Sequence, residues 1–182
     1  TRNLEREGMQ IHYEDRPDLI SKNTDLVVVP PAIPNSLKEL QHVQKSQTPL
    51  LKRAEVLGII SRQNKTIAVA GTHGKTSVTA LITHLLHQSG IKVTAFVGGI
   101  LKNYHSNCII ADNPEYVIIE ADEYDRSFLQ LTPDIAVITS IDADHLDIYG
   151  DKNSLQQAFQ AFLERLKPGG KAFAESKASV KL

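Results

Sequence analysis

Residues 66–77, Thr-Ile-Ala-Val-Ala-Gly-Thr-His-Gly-Lys-Thr-Ser, decide the fold of this chain. Thr66–Ala70 is a continuous apolar run, typical of a strand that is buried on both faces of a parallel sheet. A helix is predicted at Lys75–Gln88, because its apolar residues have helical spacing: Val78, Leu81, Ile82, Leu85 and Leu86. The glycine-bearing turn Gly71–Gly74 joins the two elements. A strand, a turn and a helix in this order predict an α/β fold with a parallel sheet.

The rest of the chain alternates in the same way between short apolar strands and amphipathic helices. Further strands are predicted at Asp25–Pro30, Pro49–Leu51, Ile91–Val97, Tyr116–Glu120, Ile135–Ile141 and Lys171–Ala174. Further helices are predicted at Ser36–Gln47, Arg53–Ser61 and Leu155–Leu166. The short polar segment Arg62–Lys65 marks the predicted boundary between two domains.

The turn after the first strand has the residues that a nucleotide-phosphate site needs. Glycines let backbone N–H groups face phosphate oxygens, and the N-terminus of the helix adds partial positive charge. Lys75 supplies a full positive charge, and the hydroxyl of Thr76 suits a phosphate-bound Mg²⁺. The usual phosphate loop has another glycine where this chain has Val69, so a purely structural turn is the alternative. His73 either donates to phosphate or only packs within the loop.

Composition excludes several classes of protein. The 182 residues include 20 Lys and Arg against 21 Asp and Glu, and a net charge of -1 argues against nucleic-acid binding through bulk charge. No apolar run approaches the roughly 18 residues of a membrane span. The single cysteine, Cys108, excludes an intramolecular disulfide framework and fits a reducing compartment, so a cytoplasmic location is expected.

Two acidic segments follow the ends of two predicted strands. Glu120–Asp125 holds four carboxylates, and Asp142–Asp147 combines three carboxylates with His145. Ligands of an open parallel sheet bind beyond the carboxyl ends of the strands, so both segments are expected to face the phosphate loop. Carboxylates together with phosphate oxygens suit Mg²⁺, and an imidazole can complete a second metal site. The alternative is that these carboxylates are solvated or cap helices.

Three segments together resemble the Mur ligases of peptidoglycan synthesis: Gly71–Thr76, Glu120–Asp125 and Asp144–Gly150. The resemblance covers nearly the whole chain and implies two incomplete domains. Residues 1–61 would be the second half of a Rossmann-like UDP-sugar-binding domain, and residues 62–182 the first part of a P-loop-type parallel-sheet ATP-binding domain. The resemblance also implies that these residues do not include the family's C-terminal domain. The resemblance therefore implies a piece of a three-domain enzyme that is inactive by itself.

Two positions are similar to the branch of the family that adds L-alanine to UDP-N-acetylmuramate. His73 lies where most other branches have Asn, and Phe159 lies where they have a lysine that is carbamylated to bridge metals. The branch that recycles muropeptides, and joins a tripeptide to the same sugar nucleotide, also has the histidine and stays an alternative. A nucleotide-binding module without ligase activity is a further alternative.

The resemblance also implies a role for each site residue. ATP would be bound by the loop and the first helical turn, that is, by Gly71, Thr72, His73, Gly74, Lys75, Thr76 and Ser77. Lys75 would hold the β- and γ-phosphates, and Thr76 and Glu120 would bind a first Mg²⁺. His145 would help to bind a second Mg²⁺ near the sugar carboxylate, and Gly98-Gly99 would border the substrate. Lys75, Glu120 and His145 would be the catalytic residues.

The implied reaction is the ATP-dependent joining of L-alanine to UDP-N-acetylmuramate through an acyl phosphate. The partners would then be small molecules, and the sequence does not predict an oligomeric state. Two positions depart from the family's usual residues: Ser140 replaces an Asn, and Pro30-Pro31 replaces two serines near the UDP pyrophosphate.

Overall fold

The computed structural model describes residues 2–142, 149, 151–176, 178 and 180. The chain divides into two compact units, Thr1–Arg53 and Ala54–Leu182. The helix that begins at Arg53 belongs to the second unit, because it packs Leu57 and Ile60 against the core of that unit. The domain assignment of residues 1–61 and 62–182 stays a prediction.

The first unit contains one parallel pair of strands with a helix between them in the chain. Its elements are α1 (Arg2–Arg6), a 3₁₀ helix (Pro17–Leu19), β1 (Val27–Val29), α2 (Lys38–Lys45) and β2 (Leu50–Lys52). In the parallel pair, Val27 lies opposite Leu50. Leu40 and Val43 are buried on one face of α2. This strand–helix–strand order confirms the predicted α/β character of the unit.

The second unit is built on a six-stranded sheet with helices α3 (Arg53–Gln63), α4 (Lys75–Gln88) and α5 (Lys152–Leu163). Its strands are β3 (Thr66–Ala70), β4 (Val93–Leu101), β5 (Ser106–Ile109), β6 (Tyr116–Glu120), β7 (Ile135–Ile138) and β8 (Lys171–Ala174). A 3₁₀ helix, Tyr124–Gln130, follows β6. The strand order is β5-β4-β6-β3-β7-β8, and every neighbouring pair is parallel except β4 and β5.

The centre of the sheet is formed by β3, all of whose residues are buried between β6 and β7. Helix α5 covers one face and buries its predicted apolar residues Leu155, Ala158, Phe159 and Phe162. The ring of Phe128 stacks on Phe162 with centroids 5.1 Å apart and meets the edge of Phe159 at 5.3 Å. Burial of each such aromatic side chain stabilises the fold by about 1.5–3 kcal/mol. The prediction that α5 packs through this face is confirmed.

Helix α4 has the predicted bounds but not the predicted buried face. Leu81 and Leu85 are 57% and 56% exposed, whereas Thr79 and Thr83 are fully buried. The threonines tolerate burial because each hydroxyl donates to the carbonyl one turn earlier: Thr79 to Lys75 and Thr83 to Thr79. The prediction of one face made from Val78, Leu81, Ile82, Leu85 and Leu86 is therefore wrong in part. Ile82 and Leu86 do pack against the core.

Strand β4 is longer than predicted and forms a hairpin. It passes through Gly98-Gly99, where the sequence predicted its end, and continues to Leu101. The added strand β5 pairs antiparallel with it, with Phe96 opposite Cys108 and Leu101 opposite Ser106. The sequence analysis missed β5 because its residues lack an alternating apolar pattern. The sheet is therefore mixed and mostly parallel. None of the helices in the described part of the chain has the length and apolarity of a membrane span.

Candidate functional site

The loop between β3 and α4 requires glycine at two positions. Gly71 has a φ of +140° and Gly74 a φ of +80°, in the region that other residues rarely adopt. A Cβ on Gly71 would also collide with Oγ1 of Thr139 and lie 2.9 Å from the amide nitrogen of Ser140. Backbone conformation and close packing therefore both require glycine at this position.

The two residues that follow β7, Thr139 and Ser140, hold this loop in place. The amide of Thr72 donates to the carbonyl of Ser140 at 3.1 Å, and the amide of His73 donates to its hydroxyl at 2.9 Å. The hydroxyl of Thr139 donates to the carbonyl of His73 at 2.5 Å. Ser140 thus contacts the loop itself. The amides that open α4, those of Lys75 and Thr76, have no acceptor within the helix and are available to an anion.

Lys75 extends from the first turn of α4 to two acceptors. Its Nζ donates to the carbonyl of Gly71 at 2.7 Å and to Oε1 of Glu123 at 2.9 Å, with Oε2 of Glu123 at 2.8 Å. The Lys75 side chain is 15% exposed and that of Glu123 is 0% exposed. The positive charge beside the loop is therefore fixed by a buried carboxylate from the segment that follows β6.

Thr76 and Glu120 are in direct contact. These are the two residues predicted to bind a first Mg²⁺. The hydroxyl of Thr76 donates to Oε1 of Glu120 at 2.7 Å, and the amide of Gly98 donates to Oε2 at 2.6 Å. A Cβ on Gly98 would lie 2.6 Å from the Glu120 carboxylate, so a side chain at this position would displace that carboxylate. A hydroxyl and a carboxylate are hard oxygen donors that fit Mg²⁺, which usually takes few protein ligands beside phosphate and water.

Within the residues that the structure describes, no three or more His, Cys, Asp or Glu side chains are grouped to hold a metal ion. Asp122 accepts from the amide of Tyr124, two residues later, at 3.0 Å. Asp142 lies 3.8 Å from Nε2 of the exposed His73. His145, Asp144 and Asp147 lie outside the described residues, as does the side chain of Asp125. The predicted second metal site therefore stays a prediction.

A groove of about 280 Å³ opens beside Thr76, between α4 and the β4–β5 hairpin. Gly99, His84 and Tyr104 contribute to its wall. Nδ1 of His84 lies 3.0 Å from the hydroxyl of Tyr104, which fixes the hairpin against the helix. Gly98-Gly99 thus lies between the Glu120 carboxylate and this groove.

Residues 69–180 match the family model of the Mur ligase middle domain. The chain belongs to the Mur ligase family. It is 47% identical over 178 residues to the UDP-N-acetylmuramate–L-alanine ligase of Cytophaga hutchinsonii, covering 93% of this chain and 38% of that protein. It is 46% identical over 182 residues to the ligase of the same name from Christiangramia forsetii, covering 97% of this chain and 40% of that protein. The chain thus spans about two-fifths of the length of these curated relatives.

Solved Mur ligase structures have the same fold. UDP-N-acetylmuramate-alanine ligase MurC from Thermotoga maritima matches with a TM-score of 0.82 and 25% identity, over 97% of this chain and 41% of that chain. A second match is UDP-N-acetylmuramate:L-alanyl-gamma-D-glutamyl-meso-diaminopimelate ligase from Neisseria meningitides. It has a TM-score of 0.86 and 20% identity, over 98% of this chain and 60% of that chain. These similarities confirm the predicted α/β fold of this Mur ligase chain.

Proposed function

We propose that this Mur ligase chain is part of an ATP-dependent enzyme that joins L-alanine to UDP-N-acetylmuramate in peptidoglycan biosynthesis. The observation that carries the proposal is the contact of Thr76 with Glu120, beside Lys75 in the first turn of α4. This contact places a carboxylate suited to a phosphate-bound cation beside the proposed phosphate loop. The choice of substrates is supported by 47% identity to a relative named UDP-N-acetylmuramate–L-alanine ligase.

The proposed reaction has two steps, both of which bring anions together. A carboxylate oxygen of UDP-N-acetylmuramate attacks the γ-phosphorus of ATP, the bond from that phosphorus to the bridging oxygen breaks, and ADP leaves. The amine of L-alanine then attacks the acyl carbon, phosphate leaves with the electrons of the broken C–O bond, and the nitrogen loses a proton. Catalysis of such steps depends on positioning and on stabilising negative charge, so no protein nucleophile is needed.

Each site residue of the chain has a task in this proposal. The amides that open α4 and the ammonium of Lys75 bind the β- and γ-phosphates and stabilise the charge that develops there. Thr76 and Glu120 hold Mg²⁺, with the amide of Gly98 orienting the carboxylate. When bound, Mg²⁺ neutralises phosphate charge and orients the transferred group. His145 stays the proposed residue of a second Mg²⁺ site.

The proposal extends to the organisation of the whole enzyme. Residues 1–61 would contribute to the UDP-sugar site and residues 62–182 to the ATP site. The amino acid would be bound with the help of parts that the longer relatives have in addition. Small molecules are the proposed partners, and the cytoplasm, where ATP is available, is the proposed location.

A coupled assay of ADP release tests the proposal in the complete ligase that carries this chain. Release is expected to depend on UDP-N-acetylmuramate and on L-alanine, and Lys75→Ala is expected to lower kcat by at least about 100-fold, because it removes the charge at the phosphates. Lys92→Ala, at an exposed lysine outside the site, serves as the control. Turnover with a tripeptide but not with L-alanine would instead identify a recycling ligase. Wild-type turnover in Lys75→Ala would refute the phosphate-loop assignment.

A further inference from the structure

Glu123 is a buried carboxylate to which the proposed reaction gives no role. Its side chain is 0% exposed, and its two oxygens lie 2.8 and 2.9 Å from Nζ of Lys75. A buried ion pair contributes little net stability, because both ions lose their hydration. The geometry of this pair is therefore more informative than its contribution to stability.

The contacts of Lys75 restrict its ammonium to one orientation. An ammonium has three N–H donors. One donates to the carbonyl of Gly71 at 2.7 Å, and another to Glu123. These acceptors come from two elements, the phosphate loop and the segment after β6. With two donors fixed in this way, one donor is left for a phosphate oxygen.

The backbone of Glu123 is itself held firmly. The hydroxyl of the buried Tyr149 donates to the carbonyl oxygen of Glu123 at 2.5 Å, and the amide of Arg126 donates to the same oxygen at 3.0 Å. The 3₁₀ helix that begins after Glu123 buries Phe128 in the core under α5. The core therefore fixes the backbone from which the Glu123 side chain extends.

We propose that Glu123 is a positioning residue for Lys75, and that it aims the remaining N–H donor of the ammonium at the γ-phosphate. The inference rests on the proposed binding of ATP by this loop. Two carboxylates of one segment then have separate tasks, because Glu120 contacts Thr76 while Glu123 contacts Lys75. Glu123 acts on the reaction through the lysine.

Two substitutions separate the charge of Glu123 from its volume. Glu123→Gln keeps the size and removes the charge, whereas Glu123→Asp keeps the charge and removes one methylene. If the carboxylate positions Lys75, kcat is expected to fall about 10- to 100-fold in Glu123→Gln, with the KM for UDP-N-acetylmuramate within about threefold of wild type. Glu123→Asp should retain kcat within about fivefold of wild type. Glu164→Gln, at an exposed carboxylate that follows α5, is the control.

A positioning role predicts this order of variants, whereas two structural explanations do not. A carboxylate that merely fills space would make Glu123→Asp the weaker enzyme, since glutamine preserves the packing. General damage to the fold would raise KM and lower kcat together, with a lower melting temperature. Either result, or a wild-type kcat in Glu123→Gln, would overturn the proposal.

A binding measurement separates this inference from the proposed substrates. Calorimetry with Mg²⁺ and either AMP-PNP or ADP compares nucleotides with and without a γ-phosphate and needs no acceptor substrate. Wild type and Glu123→Asp are expected to prefer AMP-PNP, and Glu123→Gln is expected to lose most of that preference. If calorimetry gives this result but the ligase forms no product from UDP-N-acetylmuramate, the proposed substrates are refuted and the role of Glu123 is supported. An equal preference in wild type and Glu123→Gln would refute that role whatever the acceptor.

Discussion

At the scale of single residues, short polar side chains shape the phosphate loop from outside it. Ser140, which departs from the family's usual Asn, contacts the loop at the amide of His73 and at the hydroxyl of Thr72, 2.9 Å away in both cases. Thr139 adds a bond to the carbonyl of His73. The loop conformation is therefore set partly by the segment that follows β7, and Ser140 supplies polar contacts to the loop.

Ser140→Ala tests this dependence directly. The substitution removes the acceptor of the His73 amide, so we expect amide hydrogen exchange at His73 to become faster by about 5- to 10-fold, the equivalent of roughly one hydrogen bond. Exchange is measured by NMR on the protein with and without the substitution. Ser89→Ala removes a hydroxyl at the end of α4, whose bond is local to that helix, and should leave His73 unchanged. Unchanged exchange in Ser140→Ala would show that the serine does not hold the loop.

At the scale of elements, helix α2 begins with help from a residue far away in the sequence. Leu37, the residue at its N-cap, provides no side-chain cap. Instead, the carboxylate of Asp15 accepts from the amides of Lys38 and Glu39, both at 2.9 Å. The bonds to these two amides lower the pKa of Asp15. The cap thus ties the start of α2 to the segment that precedes β1.

Asp15→Ala is expected to fray the first turn of α2, because the amides of Lys38 and Glu39 lose their shared acceptor. Hydrogen exchange at these two amides should become faster, while exchange at Val43 should change less. Asp25→Ala, which removes an exposed carboxylate of the same unit, is the matched control. Equal protection of the first turn in both variants would contradict the capping role.

The sequence predicted correctly the elements whose structure depends mainly on their own residues. β3 and α4 have the predicted bounds, since an apolar run and a helical period are properties of neighbouring residues. β5 was missed because its residues lack a strand pattern of their own, and it is recognised by its pairing with β4. The exposure of Leu81 and the contact of Glu123 with Lys75 likewise depend on what other elements bring near. The pairing of Thr76 with Glu120 was predicted from the resemblance to the Mur ligases, together with the rule that ligands bind at the carboxyl ends of parallel strands.

At the scale of the whole molecule, an ion pair and hydrogen bonds connect neighbouring elements at the end of the sheet opposite the loop after β3. Nζ of Lys167 donates to Oδ2 of Asp134 at 2.9 Å and to the carbonyl of Asn64 at 2.6 Å. The amide of Thr66, at the start of β3, donates to the same carboxylate oxygen at 2.8 Å. Burial by itself would raise the pKa of Asp134, but the bonds from Lys167 and Thr66 outweigh it and hold that pKa below its ordinary value.

This lowered pKa predicts a pH dependence of stability. A carboxylate whose pKa is lower in the folded state contributes stability above its unfolded pKa of about 3.9, and the contribution is lost as pH falls through the folded pKa. Asp134→Asn should therefore lower the free energy of unfolding at pH 7 by about 1 kcal/mol, and the difference should shrink below about pH 4. Urea titrations across this range measure it. Asp112→Asn, at an exposed position, is the control, and a constant difference at all pH values would contradict the prediction.

The strand order has a consequence for the synthesis of this protein. β3 lies between β6 and β7, and the residue that fixes the amide of His73 comes 67 positions later in the chain. On the ribosome, the loop after β3 is made well before the residues after β6 and β7 that contact it and Lys75. A nascent chain that ends before Ser140 has the glycines and the lysine but not the groups that hold them. The described conformation of the loop therefore forms only after most of the second unit has been translated.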